Sequence, residues 1–220
     1  MQRVYVWQFP VRLYHWVNAA AVMALVATGL VIGRPLVLQT SGEASFGYWF
    51  GTVRFVHFVA AFVFFFNFVG RIYWGFVGNH WAQWNQFIPT TKEQFREMLH
   101  VLRVDILLGR AAGIPSVGHN ALAGVTYFIS FLAFLFQSVT GFGMYAAMSD
   151  AWLPGLFTWI VPLMGGDFGV RQWHHLMTWF FVVFSIVHVY LVFYHDYVEG
   201  RGVLSSMAGG WKFVEKRQTK

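Results

Sequence analysis

Four of the nine histidines lie at matched depths on three of the long apolar stretches. They are His15, His57, His174 and His188. Ionisable residues within membrane-spanning segments are costly and usually functional. Imidazole nitrogens are common metal ligands and hold the iron of haem proteins. The chemistry that this set of residues predicts is therefore ligation of haem iron, whereas any one of them alone could simply hydrogen-bond to a neighbouring helix.

The spacing of these histidines predicts two pairs. His174 and His188 are fourteen residues apart, so on one α-helix they lie within roughly 40° of the same face and ~21 Å apart. His57 would share the outer level with His174, and His15 would share the inner level with His188. Each pair could supply both axial ligands of a haem b, with two haems expected and one possible. His175 points roughly 140° away from the His188 face and is not predicted to be a ligand.

Three arginines stand three residues before a proposed ligand, in the segments RLYH, RFVH and RQWH. They are Arg12, Arg54 and Arg171. A residue at i−3 lies on the same helix face as the histidine. A guanidinium group suits a carboxylate, so these arginines are predicted to bind haem propionates. The alternative is that arginine commonly flanks the start of a membrane helix.

Two further positions follow a proposed ligand by fourteen residues. Gly29 follows His15 and is predicted to let a porphyrin approach the backbone, because it has no side chain. Arg71 follows His57 and would lie at the inner level. It is predicted to bind a propionate or else to extend its side chain towards water.

The composition indicates a membrane protein. Hydrophobic residues make up 57% of the 220 residues and charged residues only 11%, and the mean hydropathy is +0.52. There is no cysteine, which excludes disulfides, thiolate-ligated clusters and c-type haem attachment. The net charge of +6 comes from basic residues in loops and tails, so it does not indicate a nucleic-acid partner.

The fold class predicted is an all-α, integral membrane four-helix bundle that forms a single domain over residues 1–220. Each predicted span is long enough to cross a bilayer, which takes ~20 helical residues. The predicted spans are 13–33, 53–77, 120–147 and 172–196. Twelve of the fifteen Lys and Arg residues fall on one side of these spans, so the positive-inside rule places both termini in the cytoplasm.

Two connecting segments are also apolar in pattern. Residues 91–109 repeat apolar positions at helical spacing among charged residues, which predicts an amphipathic helix on the cytoplasmic membrane surface. Residues 148–171 form an apolar outer loop that could lie in the membrane interface or dock a partner.

Several motifs resemble a known family. The motifs are RLYHW with Thr28-Gly29, RFVHF followed by GRIYWGFVGN, GHNALAG, and WHHLMTWFFVVFSIVHVY. At these segments, and over almost its whole length, the chain resembles the b-type cytochrome subunit of membrane-bound nickel–iron hydrogenases, in the cytochrome b561-like superfamily.

The resemblance implies the same four helices, with His15, His57, His174 and His188 as the haem ligands. It implies a bacterial cytoplasmic (inner) membrane location in a respiratory chain, with the hydrogenase small and large subunits on the outer face. Iron–sulfur centres of the small subunit would supply electrons, and a membrane quinone would accept them at the cytoplasmic side. The chain itself would have no hydrogen-activating site.

Quinone reduction needs protons, so titratable groups near the inner haem are candidates for a quinone site. These are Tyr194, His195 and Asp196, which are also ordinary residues for a membrane interface.

Three alternatives remain open from the sequence. One is the cytochrome b subunit of a formate dehydrogenase or thiosulfate reductase type of complex, which shares this architecture. Another, from a different class, is a non-haem membrane anchor or transporter whose histidines carry protons. The third is a ferric reductase that takes electrons from a cytosolic reductant.

Overall fold

The computed structural model describes residues 2–35, 48–87, 91–101, 121–200 and 202–214. Four of its helices are long and apolar enough to cross a membrane. They are α1 (Phe9–Gly33), α2 (Trp49–Val77), α4 (Ala121–Tyr145) and α7 (Asp167–Glu199). The prediction of four membrane-spanning helices is confirmed. Large apolar side chains lie exposed along all four, which is expected where lipid rather than water surrounds a helix.

Three of these helices begin four or five residues before the predicted spans. α1 begins at Phe9, α2 at Trp49 and α7 at Asp167. The additional first turns contain charged or interfacial residues, which lower the hydropathy of a sequence window without disfavouring the helical backbone. Hydropathy therefore located the apolar part of each helix and missed its polar end.

The shorter helices lie in the connecting segments. α3 covers Lys92–Val101, and the rest of the predicted helix 91–109 lies outside the described residues. Phe95 and Leu99 on α3 are both exposed and, four residues apart, share one face. In the apolar outer loop, α5 (Trp152–Gly155) and α6 (Ile160–Leu163) each form little more than one turn. α8 covers Val203–Gly209 near the C-terminus.

A two-stranded sheet joins the two ends of the chain, so the all-α fold class was incomplete. Strands β1 (Gln2–Tyr5) and β2 (Trp211–Val214) pair antiparallel, from Gln2 opposite Val214 to Tyr5 opposite Trp211. β-branched and aromatic residues favour short strands of this kind. No local pattern predicts these strands, because the pairing joins residues that lie about 200 positions apart in the sequence.

The described helices contribute to two compact units. The terminal unit comprises Met1–Trp16, Val69–Leu132 and Ile186–Lys220, and the central unit comprises Val17–Phe68 and Ala133–Ser185.

The terminal unit has a small apolar core next to the sheet. Its buried members are Val6, Trp7, Val11 and Ala82. The indole N–H of Trp7 donates to the hydroxyl of Ser206 at 3.1 Å. The indole N–H of Trp16 donates to the carbonyl of Met207 at 3.0 Å. These bonds attach the start of α1 to the C-terminal segment.

The central unit is packed largely by phenylalanine. Phe134 stacks on Phe181 with ring centroids 5.3 Å apart and meets Phe64 edge-on. Phe142 likewise stacks on Phe157 and meets Phe65 edge-on. Aromatic pairs at these distances stabilise packing beyond the area that they bury.

Gly210 between α8 and β2 provides a test of the terminal unit. Its φ is +85°, and an added Cβ would lie 2.5 Å from the ring of Tyr5 and 2.7 Å from the carbonyl oxygen of Trp7. We expect Gly210→Ala to destabilise the protein by about 1–3 kcal/mol, because the left-handed backbone and the contact both oppose a side chain. The measurement is the midpoint of thermal unfolding in detergent, followed by tryptophan fluorescence.

The adjacent glycine is the matched control. A Cβ at Gly209 would meet nothing within 4 Å, so Gly209→Ala is expected to leave the midpoint unchanged or to raise it slightly. Equal midpoints for the two variants would contradict the importance of this turn.

Candidate functional site

His15 and His188 meet in the terminal unit. Their ring centroids are 6.2 Å apart with the ring planes inclined at 50°. Metals bind imidazole nitrogens at about 2 Å, so two rings on opposite sides of one metal ion have centroids roughly 6 Å apart. The Nδ1 atom of His15 is buried without a hydrogen-bond partner. The spacing of this pair therefore suits a shared metal.

Arg12 lies in the first turns of α1, before His15. Its guanidinium donates to the carbonyl of Ala208 in α8, and its Nε is buried without a partner. The guanidinium of Arg12 thus lies one turn before His15, and one of its N–H groups is already bonded to the C-terminal segment.

Arg71 is surrounded by aromatic rings in the terminal unit. Its side chain is only 2% exposed, so it does not extend to water. One Nη atom donates to the carbonyl of Ala82 at 3.0 Å, while Nε and the other Nη are buried without partners. The guanidinium lies 5.2–5.9 Å from the centres of four rings, which belong to Tyr14, Trp84, Phe87 and Tyr127. A buried cation with unpaired N–H groups is costly unless an anion joins it.

His57 is held by α1 in the central unit. Its Nδ1 lies 2.8 Å from the hydroxyl oxygen of Thr28. That hydroxyl also donates to the carbonyl of Ala24 at 2.6 Å. Thr28 belongs to one of the family motifs, but the sequence pattern predicts no role for it in a site.

His174 is held in the same manner by α4. Its Nδ1 lies 2.9 Å from the hydroxyl oxygen of Thr140, which donates to the carbonyl of Phe136 at 2.8 Å. The amide nitrogen of Gln137 lies 3.1 Å from Nε2 of the same imidazole. His174 is also within Coulombic range of His57. Both histidines of the predicted outer pair therefore lie in the central unit, and their binding of one haem stays a prediction.

Glycine lies against both imidazoles of the central unit. A Cβ at Gly29 would lie 3.4 Å from Cε1 of His57, and one at Gly141 would lie 3.2 Å from Cε1 of His174. Gly29 also lines a cavity of about 300 Å³ together with Gly33, Arg34 and His175. His175 itself packs over Gly33. Gly29 therefore leaves room for the imidazole of His57 and also borders this cavity.

The other two predicted propionate ligands have different neighbours. Arg54 donates to the sulfur of Met148 at 2.9 Å. Arg171 forms an ion pair with Asp167 at 2.8 Å, with both side chains 57% exposed. Part of the charge of Arg171 is therefore already balanced within the first turn of α7, and its predicted contact with a propionate stays a prediction.

The three candidate quinone residues lie at the end of α7. The ring of Tyr194 stacks on Tyr190 and meets His195 edge-on. The carboxylate of Asp196 accepts a hydrogen bond from the backbone N–H of Leu204 at 3.2 Å. Asp196 therefore bonds to the start of α8, and its role in quinone binding stays a prediction.

The donor set at the two histidine pairs fits a porphyrin better than a bare metal ion. Among the described residues there is no group of three or more His, Asp or Glu side chains that could hold a metal ion. Two imidazoles alone leave a metal under-coordinated, whereas a haem supplies four nitrogens of its own and needs one or two axial ligands. Glycine beside the rings and unpaired N–H groups at arginine fit a flat macrocycle with carboxylates.

Comparison with known proteins supports this assignment. Residues 6–210 match the family model described as prokaryotic cytochrome b561. The chain is 41% identical over 216 residues to the probable Ni/Fe-hydrogenase B-type cytochrome subunit of Azotobacter vinelandii, which covers 96% of this chain and 89% of that protein. It is 41% identical to the subunit of the same name from Cupriavidus necator, over 96% and 88%.

A more distant relative gives the same result. The probable Ni/Fe-hydrogenase 1 B-type cytochrome subunit of Escherichia coli is 32% identical over 213 residues, covering 94% of this chain and 90% of that protein. The chain therefore belongs to the prokaryotic cytochrome b561 family, in the group of Ni/Fe-hydrogenase B-type cytochrome subunits.

Proposed function

We propose that this chain is a haem b membrane subunit that passes electrons from the iron–sulfur small subunit of a nickel–iron hydrogenase to the membrane quinone pool. The observation that carries the proposal is the contact of His15 with His188 in a chain of this family, and it is supported by the presence of His57 and His174 together in the central unit. Haem b, when bound, supplies one-electron transfer. Two histidines on each haem would favour electron transfer over oxygen binding.

The residues around each pair would bind and orient the haems. His57 and His174 would hold the haem nearer the outer face, and His15 and His188 the haem nearer the cytoplasm. Arg12 and Arg71 would neutralise propionates in the terminal unit, which is supported by their unpaired buried N–H groups. In the central unit, Arg54 and Arg171 would neutralise propionates. Gly29 has no side chain and would leave room for the porphyrin.

The remaining parts of the proposal concern the whole subunit. The chain would act as one cytochrome domain over residues 1–220 in a bacterial cytoplasmic membrane. The hydrogenase subunits would bind its outer face, and the quinone would bind near Tyr194, His195 and Asp196 on the cytoplasmic side. The helix predicted over 91–109 would lie on the cytoplasmic surface, supported by the exposed apolar side chains Phe95 and Leu99.

The names of the relatives favour hydrogenase over a formate dehydrogenase or thiosulfate reductase as the partner complex. Co-purification with a nickel–iron heterodimer, rather than with a molybdenum enzyme, tests this choice. A ferric reductase would instead be reduced by NADH without any partner.

Haem content tests the central claim. A pyridine haemochrome assay on the purified chain is expected to give two haems b per chain, or one. His57→Ala and His188→Ala should each remove the absorbance of one haem, because each removes an axial ligand. A colourless wild-type protein would point instead to a non-haem anchor or transporter, and unchanged spectra in both variants would exclude these ligands.

The cysteine-free sequence allows a clean test of orientation. Ser205→Cys near the C-terminus and Asp150→Cys in the loop after α4 both replace exposed residues. With both termini cytoplasmic, a membrane-impermeant maleimide added to intact cells should label Asp150→Cys only. After permeabilisation both variants should react. Labelling of Ser205→Cys alone in intact cells would show that the orientation is the opposite of the one predicted.

Arg71 can be tested through the reduction potential. Arg71→Met removes the charge and keeps an unbranched apolar side chain among the aromatic rings. We expect it to lower the midpoint potential of the haem held by His15 and His188, since a nearby cation favours the reduced, less positive iron. Arg71→Lys retains the charge and should stay closer to wild type. Equal potentials in all three proteins, measured by optical redox titration, would make Arg71 purely structural.

A further inference from the structure

The central unit contains the same small arrangement twice. In both cases a Thr-Gly dipeptide on one long helix lies against a histidine of the next: Thr28-Gly29 on α1 against His57 on α2, and Thr140-Gly141 on α4 against His174 on α7. We propose that these dipeptides are two seats of the same kind, in which threonine fixes the tautomer of a haem-ligating histidine and glycine leaves room for its ring. This inference rests on the proposed haem-binding function and adds positioning residues to it.

The hydrogen bonds determine which atom donates. A threonine hydroxyl has one proton and can accept through its oxygen. The proton of Thr28 is directed to the carbonyl of Ala24 at 2.6 Å, so its oxygen accepts from Nδ1–H of His57 at 2.8 Å, with the backbone carbonyl of Leu25 as a second acceptor for the same ring. The same accounting applies to Thr140, which donates to Phe136 at 2.8 Å and accepts from His174 at 2.9 Å.

The consequence falls on the other ring nitrogen. When Nδ1 carries the proton, Nε2 of a neutral imidazole has a free lone pair, and this is the atom that would ligate iron. The amide nitrogen of Gln137 lies 3.1 Å from Nε2 of His174, which suits a donor facing a lone pair. If His174 ligates iron through Nε2, the amide of Gln137 would have to move away from that ring nitrogen.

Glycine supplies the second constraint. A Cβ at Gly141 would lie 3.2 Å from Cε1 of His174, closer than side chains normally approach, so an added methyl group must displace the ring. At Gly29 the corresponding distance to His57 is 3.4 Å, an ordinary contact. The seat at His174 is therefore the tighter of the two.

The seats should affect the electronic properties of the haem as well as its retention. A hydrogen bond from the outer nitrogen of a ligating histidine fixes the ring orientation and raises the basicity of the ligand. A more basic ligand stabilises the oxidised iron. Losing either threonine oxygen should therefore raise the midpoint potential of the haem bound by His57 and His174 and leave the other haem unchanged.

The experiment uses the purified full-length chain with its haems. Thr28→Val and Thr140→Val remove the acceptor, Thr28→Ser and Thr140→Ser restore it, and His57→Ala identifies the affected haem. Ser130→Ala is the matched control, because the Ser130 hydroxyl is also bonded within α4, to the carbonyl of Thr126. The readouts are optical redox titration, the low-spin EPR g-values and the rate of haem loss to an apo-acceptor protein.

The valine variants are expected to raise one midpoint potential, to change the g-values of that haem and to speed its loss about 10- to 100-fold. The serine variants and Ser130→Ala should match wild type. If neither valine variant can be purified, Gly141→Ala carries the test, since it should change the g-values of the same haem while keeping both hydroxyls.

The proposal of these seats is wrong if the valine variants keep the wild-type potentials, g-values and rate of haem loss. If Gly141→Ala carries the test instead, unchanged g-values in that variant would contradict the proposal. Loss of one haem in His57→Ala would in either case leave the proposed function standing. A wild-type chain without haem would instead overturn the proposed function itself.

Discussion

The need to satisfy every buried polar atom governs this molecule. In a hydrocarbon environment a side-chain nitrogen cannot turn to water, so an unpaired one costs several kcal/mol. The structure meets this need for His57 and His174 with threonine hydroxyls that are themselves bonded to their own helix. It leaves Nδ1 of His15 and two nitrogens of Arg71 without partners. The propionates of the proposed haems would supply acceptors for the unpaired nitrogens of Arg71.

Much of this arrangement was visible in the sequence because it depends on local periodicity. Long apolar runs predict the four helices, and a fourteen-residue interval predicts that His174 and His188 share a face. The meeting of His15 with His188 followed from matching their depths in the spans, which is a constraint peculiar to membranes. A soluble protein with the same four histidines would have offered no such common reference plane.

Other features escaped because they join residues that no local pattern connects. The sheet between Gln2–Tyr5 and Trp211–Val214 and the aromatic rings around Arg71 depend on tertiary packing. Thr140 was missed for a different reason. Its dipeptide repeats Thr28-Gly29, yet the two copies precede their histidines by different intervals, so a search for a fixed period passes over them. Comparing the residues opposite each candidate ligand would have found both.

The strand pairing at the chain ends has a consequence for biogenesis. β1 precedes all four long helices in the chain, and its partner β2 is made only after those helices have been synthesised. Contacts between such distant residues close late and at high entropic cost. A nascent chain stalled or cleaved before Trp211 could insert its helices but could not pair its first strand, leaving the backbone groups of β1 open to quality-control proteases. A chain in which β1 has paired with β2 has therefore already synthesised all four long helices.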